Sequence, residues 1–454
     1  MKIIIAGAGD VGFHLAKLLS HEAQDIIIID SDKKKLQHIE SHLDVIALKG
    51  DATSFITLRE ANINEADIFI AVTQDQNTNL TAAVIAKKSG AKKSIARINN
   101  PEYLLRENSL NFQRMGIDSL ISPETLAANE IDELINEAGF NEYFAFEEGL
   151  LKMSGSVLDE NSTLLNKTVK EVADQEHKNR TDFTPIAIIR KNSQDIIVPR
   201  GDTVYKLGDQ VYFLLLGDAS KHIYKILGKT KVDLKRIMIL GGGKIGKATA
   251  ENLSKSNHSV TLIEKNPSKA FDLADDLSKT LIIQGDGRDS ELLEDEAIEE
   301  MDAFIAVTGR SETNIMSCLL AKSKGVKKTI ALVENMDYIH LSQMIGIDAF
   351  INKKFLAANN IVRFIRKGEV LALTHLSNLD AELLEFKVVQ NAKITHDIIR
   401  NIDFPRDAII AGVVRNGQSY IPLGDFQIKA NDRVVVLALP DVLSEVESLF
   451  INKK

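Results

Sequence analysis

Gly7, Gly9 and Gly12 stand at G-x-G-x-x-G spacing in GAGDVG, directly after the apolar run KIIIA and directly before a helical pattern. The chemistry open to such a turn is anion binding rather than bond making. The first glycine permits the tight turn, the second lets backbone N–H groups approach a pyrophosphate, and the third allows close helix–strand packing. The helix that follows supplies free N–H groups and the positive end of its dipole. Ala8, Asp10 and Val11 complete the turn, and Asp30 ends the next apolar run, DIIIID, 18 residues past Gly12. A carboxylate there suits both hydroxyls of an adenosine ribose and repels a 2′-phosphate, so NAD(H) is expected and NADP disfavoured.

The same set recurs. Gly241, Gly243 and Gly246 follow RIMIL, and Glu264 ends VTLIE, again 18 residues past the last glycine. The two copies differ in charge. Asp10 lies inside the first turn, whereas Lys244, followed by Ile245, holds the equivalent place in the second. A carboxylate beside bound phosphates weakens affinity and a lysine strengthens it, unless the side chain points away. Arg97 ends the fifth apolar run of the first copy, where it could reach phosphate bidentately, and its counterpart is Leu332. A structural ion pair is the rival role for Arg97. The two sites are therefore expected to differ in ligand or in strength.

Further candidates line up in both copies. Gly50-Asp51, with Ala52 and Thr53, ends the third run and recurs as Gly285-Asp286. This pair would lie near the adenine end of a nucleotide, or would simply form a turn. Thr73 and Thr308 follow the fourth run, at the strand end where parallel sheets bind ligands.

Other chemistries find less support. His38 and His42 have the i, i+4 spacing of a metal pair, but no third ligand is evident and lysines and carboxylates surround them. A solvated helix face accounts for them better. Cys318 falls in a largely apolar helical pattern and reads as a small core residue. No G-x-S-x-G, H-E-x-x-H or G-K-[ST] motif is present. The reading is a binding protein without a catalytic or metal centre, with an NAD-dependent oxidoreductase as the competing class.

The elements that position these residues are written twice. IFIAVTQDQNTN at 68–79 returns as AFIAVTGRSETN at 303–314, and MGIDSLISPETLAANEI at 115–131 returns as IGIDAFINKKFLAANNI at 345–361. In each half, short β-branched runs alternate with helical stretches, the mark of a parallel sheet covered on both faces. Each half then becomes shorter-patterned and richer in strands. One helix-like segment (TLLNKTVKEVAD, then KITHDIIRNID) precedes the strands IAIIR and VYFLLL, or IIAGVVR and RVVVLAL.

The expected fold is α/β: two tandem Rossmann-like, doubly wound parallel-sheet domains, each followed by a small α+β domain. The expected boundaries are 1–136, 140–227, 236–366 and 370–454, with GKTKVDLK at 228–235 as linker. LAANEI and LAANNI carry apolar residues at helical spacing (Leu126, Ile131, Leu134, Ile135; Leu356, Ile361, Ile365). Periodicity leaves open whether they pack on their own domain or on a neighbour.

Composition sets the outer limits. The 454 residues suit two to four domains, and 44% hydrophobic with 26% charged residues is ordinary globular composition. The net charge of −9 is scattered, with no basic stripe, so a nucleic-acid partner is not expected. A single cysteine fits a reducing compartment. No apolar run approaches membrane-spanning length, so the chain is expected to be cytoplasmic and to meet a membrane only through a partner.

GAGDVG, Asp30, GDAT and AVTQDQNTN, joined to a small domain carrying P-x-G-D and a later G/N-D, resemble the RCK (also called KTN) regulators of potassium transport. The doubled order of nucleotide and small domains resembles the family's Trk-system subunits over essentially all of the chain. The resemblance implies pockets for NAD(H), ATP or ADP, and a crossover helix at LAANEI and LAANNI that swaps onto a neighbouring domain. It implies assembly as a homodimer or tetrameric ring beneath a TrkH- or TrkG-type pore protein, whose opening the nucleotide alters. Leu332 departs from the pattern and leaves the second site without a phosphate-facing arginine.

Overall fold

The computed structural model describes residues 1–20, 25–105, 112–146, 149–176, 182–190, 196–217, 219–229, 233–334, 346–365, 370–375 and 381–450. Part of the expected linker, 230–232, lies outside them. Among the described residues four sheets form.

The first holds β1 (Lys2–Ala6), β2 (Asp25–Asp30), β3 (Ile46–Lys49), β4 (Ile68–Ala71), β5 (Lys93–Arg97) and β6 (Ser119–Ile121), all parallel, in the order β3-β2-β1-β4-β5-β6. Ile3, Ile4 and Ile5 are fully buried, because helices cover both faces and every side chain of this central strand needs to be apolar. The strand order reverses between β1 and β4, and that crevice is where such sheets take ligands.

A small antiparallel sheet follows: β7 (Glu142–Phe146), β8 (Leu151–Val157), β9 (Phe183–Ile189), β10 (Ile196–Ile197) and β11 (Gln210–Leu216), ordered β10-β9-β11-β8-β7. The second half repeats the plan. Parallel strands β12 (Arg236–Leu240), β13 (Ser259–Glu264), β14 (Thr280–Gln284), β15 (Ala303–Ala306), β16 (Lys328–Leu332) and β17 (Ala349–Ile351) run in the order β14-β13-β12-β15-β16-β17. The last sheet, β18-β19-β22-β20-β21, comprises β18 (Val370–His375), β19 (Glu382–Lys387), β20 (Ala408–Arg415), β21 (Gln418–Tyr420) and β22 (Arg433–Ala438).

The small domains depart from expectation in two places. EYFAF and LKMSGSV form strands β7 and β8 ahead of the helix-like segment. KITHDIIRNID makes two 3-10 turns, Lys393–Thr395 and Ile399–Asn401, where the first copy keeps a true helix, Val169–Glu176. The Gly-Asp and Asn-Asp aspartates are structural. Buried Asp209 pairs with Arg190, and buried Asp432 pairs with Arg415 at 2.7 Å.

The crossover helices exchange places within the one chain. The first, Pro123–Asn136, starts at Ser122, whose hydroxyl accepts the Thr125 N–H, with Pro123 at the first helical position. It buries Ala127, Ile131, Leu134 and Ile135 against Ile237, Ile245 and Leu253 of the second half. The second, Lys353–Ile365, buries Ala357, Ala358, Ile361 and Ile365 against Ile3, Ile5, Leu15 and Leu19 of the first. Of the two alternatives left open by periodicity, the neighbouring domain covers Ile131, Leu134, Ile135, Ile361 and Ile365, whereas Leu126 and Leu356 pack against the cluster of their own half's sheet. The paired alanines of each LAAN segment let the helices approach closely.

Buried Lys328 strengthens the exchange. Its Nζ donates to the Ala138 and Phe140 carbonyls at 3.0 and 2.5 Å, just past the end of the first crossover helix, and burial pulls this ammonium down to about 8. The small sheets also meet face to face, with Met153, Tyr212 and Leu214 in one cluster with Leu383, Val435 and Leu437.

Candidate functional site

Each parallel sheet carries a cleft at its switch point. The first, of about 680 Å³, is lined by Gly7, Gly9, Asp10, Val11, Asp30, Gly50, Asp51, Ala52, Thr73 and Arg97 among others. The second, of about 400 Å³, is lined by Gly241, Gly243, Glu264, Gly285, Asp286 and Thr308. Both volumes suit a nucleotide.

The remaining expected residues stand behind these walls. Ala8 donates its N–H to Asp30 Oδ2 at 2.7 Å, so the putting-together of turn and carboxylate runs through its backbone. Gly12 and Gly246 sit where a Cβ would lie 1.9 Å from the carbonyl oxygens of Gly7 and Gly241, so only glycine lets the helix start there. Ile245 is buried in the core between sheet and crossover helix. Thr53 donates its N–H and hydroxyl to Asp51 Oδ1, both at 2.8 Å, and these bonds hold the Asp51 carboxyl below the usual range.

Gly9 and Gly243 behave differently from the other glycines of the turns. A Cβ on either meets no atom within 4 Å. Nothing in the folded chain requires glycine at these two positions, and the cradle that a methyl would occupy lies where a pyrophosphate approaches the turn. The turn therefore leaves room for a phosphate group to approach its backbone.

The strand-end threonines are fixed by an unread pair of asparagines. Asn79, 1% exposed, accepts the Thr73 N–H at 2.9 Å and its hydroxyl at 2.7 Å, and donates to the Thr73 and Arg97 carbonyls. Asn314 makes the same four bonds to Thr308 and Leu332. The recurring last residue of QDQNTN and RSETN was the available signal.

Charge differs between the clefts, and not only at the expected positions. Asp10 does not confront the cleft as an unpaired carboxylate. Lys354 reaches across from the second half to within 2.7 Å of its Oδ2, and also lies 3.2 Å from Glu334 Oε2. Burial opposes the Lys354 charge, but Asp10 and Glu334 outweigh it and raise its pKa above the usual lysine range. Glu334, Lys353 and Lys354 all line the first cleft, so that site is built from both halves. Lys244, by contrast, is exposed and outside the residues lining the second cleft.

Arg97 lines the first cleft and approaches Glu124 Oε1 at 3.6 Å. The pairing is incomplete, since Arg97 Nε and Glu124 Oε2 are buried without hydrogen-bond partners among the described residues. A guanidinium left with spare donors on a cleft wall fits an anionic ligand.

In the second cleft Glu264 accepts the N–H groups of Gly242 at 3.0 Å and Asn266 at 2.8 Å, and Lys269 lies 3.1 Å from its Oε2. Burial raises this carboxyl, and those donors more than reverse the shift. Glutamate is one methylene longer than Asp30, and Gly242 leaves the room, since a Cβ there would come within 3.0 Å of Glu264 Oε2.

The His38 and His42 rings lie 4.4 Å apart and tilted to each other, and Phe13 stacks on His38. Among the described residues no group of three or more histidine, cysteine or carboxylate side chains is arranged to hold a metal. Cys318 is buried, with its thiol pKa pushed up by desolvation. No described helix is long and apolar enough to cross a membrane.

Comparison with known proteins places this architecture. The TrkA-N domain model matches residues 3–123 and 237–353, and the TrkA-C domain model matches 153–228 and 383–451. A "Trk system potassium uptake protein TrkA homolog" of Archaeoglobus fulgidus is 34% identical over 450 residues, covering 99% of this chain and all of the relative. "Trk system potassium uptake protein TrkA" of Halomonas elongata is 32% identical, covering 99% of this chain and 98% of the relative. Among solved structures, "GsuK channel bound to NAD" superposes with a TM-score of 0.62 at 14% identity, covering 99% of this chain and 78% of that one, a likeness of fold. Two nucleotide-type and two small domains, matched in order over nearly the whole length, show that the chain belongs to the TrkA family of Trk-system potassium uptake proteins.

Proposed function

We propose that the chain is the nucleotide-sensing regulatory subunit of a Trk-type potassium uptake system. NAD(H), with ATP or ADP as further ligands, binds reversibly in the two clefts and controls a TrkH- or TrkG-type potassium-translocating membrane subunit. The chain works as a homodimer or a tetrameric ring, in the cytoplasm and peripheral to the membrane through that subunit. The NAD- and ADP-bound states named for the GsuK structures support this choice of ligands.

One observation carries the reading: the first cleft is shared between halves. A ligand biases a conformational equilibrium only through different affinity for its states. A phosphate entering the Gly9 turn meets Lys353 and Lys354 of the second half and competes with Asp10 for the latter. Occupancy thereby changes a contact that holds the halves together, and the exchanged crossover helices carry the change to the small domains.

The test is co-purification with a Trk-type pore subunit, followed by potassium flux in proteoliposomes with and without NADH and ADP. Nucleotide-dependent flux is expected. Steady NADH consumption with a carbonyl substrate, and flux indifferent to nucleotide, would select the oxidoreductase instead.

Arg97→Ala should weaken nucleotide binding at the first cleft about 10–100-fold, the range for losing a charge-assisted hydrogen bond, and leave the second unchanged. Calorimetric titration checks this, and unaltered curves would confine Arg97 to its pairing with Glu124.

A further inference from the structure

The clefts also differ in charge beyond their strand-end carboxylates. In the second, Lys265 directly follows Glu264, and its Nζ lies 2.8 Å from Asp286 Oδ2. Arg288 grips the same carboxylate through Nε at 3.0 Å and Nη2 at 2.6 Å, and Lys269 completes the rim beside Glu264. Arg288 and Lys265 hold the Asp286 carboxyl far below its usual range. Three cations thus face two carboxylates at this end of the cleft, and a fourth, Arg310, lines the same cleft beyond Thr308.

At the equivalent places the first cleft has Ser31, Lys35 and Thr53 with Asp30 and Asp51. One cation there faces two carboxylates. The net charge at the ribose end is therefore +1 in the second cleft and −1 in the first, as counted from these residues. A dianion placed there is attracted in one and repelled in the other. The first residues past the second strand are where dinucleotide folds meet the ribose 2′ position, and a cation nearby accommodates a 2′-phosphate. Glu264 offers less opposition than Asp30, because Lys269 already neutralises it.

We infer that the second cleft accepts adenine nucleotides phosphorylated on the ribose 2′-oxygen, with Lys265, Lys269 and Arg288 holding the phosphate, while the first cleft rejects them. This rests on the nucleotide-binding reading above. It revises for one copy the exclusion of NADP that the strand-end carboxylate implies. The phosphate exchanges partners with Asp286, so Lys265 and Arg288 turn from the carboxylate to the ligand.

The full-length chain should be titrated by calorimetry with adenosine 2′,5′-bisphosphate and with 5′-AMP at low ionic strength, since exposed charges are screened by salt. The expected result is at least tenfold tighter binding of the bisphosphate at one site per chain. K265S/R288T, which installs the first cleft's residues, should abolish that preference. S31K/T53R should confer it on the first cleft. Equal affinity for the two ligands, with 5′-AMP still bound, would overturn this inference and leave the regulatory reading standing. No binding of either ligand or of NAD would overturn both.

Discussion

Gly9→Ala should reduce nucleotide affinity at the first cleft at least tenfold, about 1.4 kcal/mol, while leaving the fold intact. The added methyl meets no protein atom within 4 Å, so urea unfolding should shift by no more than about 0.5–1 kcal/mol. Only a ligand drawn close to the turn would feel it. Gly243→Ala should do the same at the second cleft. Gly12→Ala is the informative contrast, because its Cβ would fall 1.9 Å from the Gly7 carbonyl oxygen and the turn itself would break. Stability loss without selective binding loss in Gly9→Ala would mean that phosphate does not approach this turn.

Ile131→Asp should cost about 3–5 kcal/mol, since it places an unpaired charge at a fully buried position. Its second consequence is specific to the exchanged helices. Ile131 belongs to the first half by sequence but packs in the core that contains Ile245 and Leu253. Hydrogen exchange should therefore accelerate in the helix Lys244–Lys255, more than 100 residues away. Ile131→Val, losing one methylene, should cost about 0.5–1.5 kcal/mol and show the same pattern more weakly. Acceleration confined to residues 1–136 would contradict the exchange.

The parallel sheets were readable because their central strands are buried on both faces, and DIIIID or VTLIE admits no other pattern. The glycine turns and strand-end carboxylates followed from spacing alone. The destination of LAANEI and LAANNI did not, since helical periodicity marks a buried face without naming what buries it. Lys354 was equally hidden. No local signal connects it to Asp10 or predicts that the first cleft draws cations from the other half. Asp10 therefore looked like an unopposed negative charge, and Lys244 like a phosphate ligand, where the fold pairs the one and leaves the other exposed outside the cleft. In the small domains, strands such as LKMSGSV alternate weakly and carry glycine and serine, so β8 gave little signal. KITHDIIRNID has helical spacing, but it is divided between two short turns.

Calorimetric titration of the full-length chain with NADH and with ADP tests the central claim most directly. Two nucleotide sites per chain are predicted, each weakened separately at least tenfold by Gly9→Ala or Gly243→Ala. A chain that evolves no heat with any adenine nucleotide, or a double variant that titrates like the unaltered protein, would contradict the account.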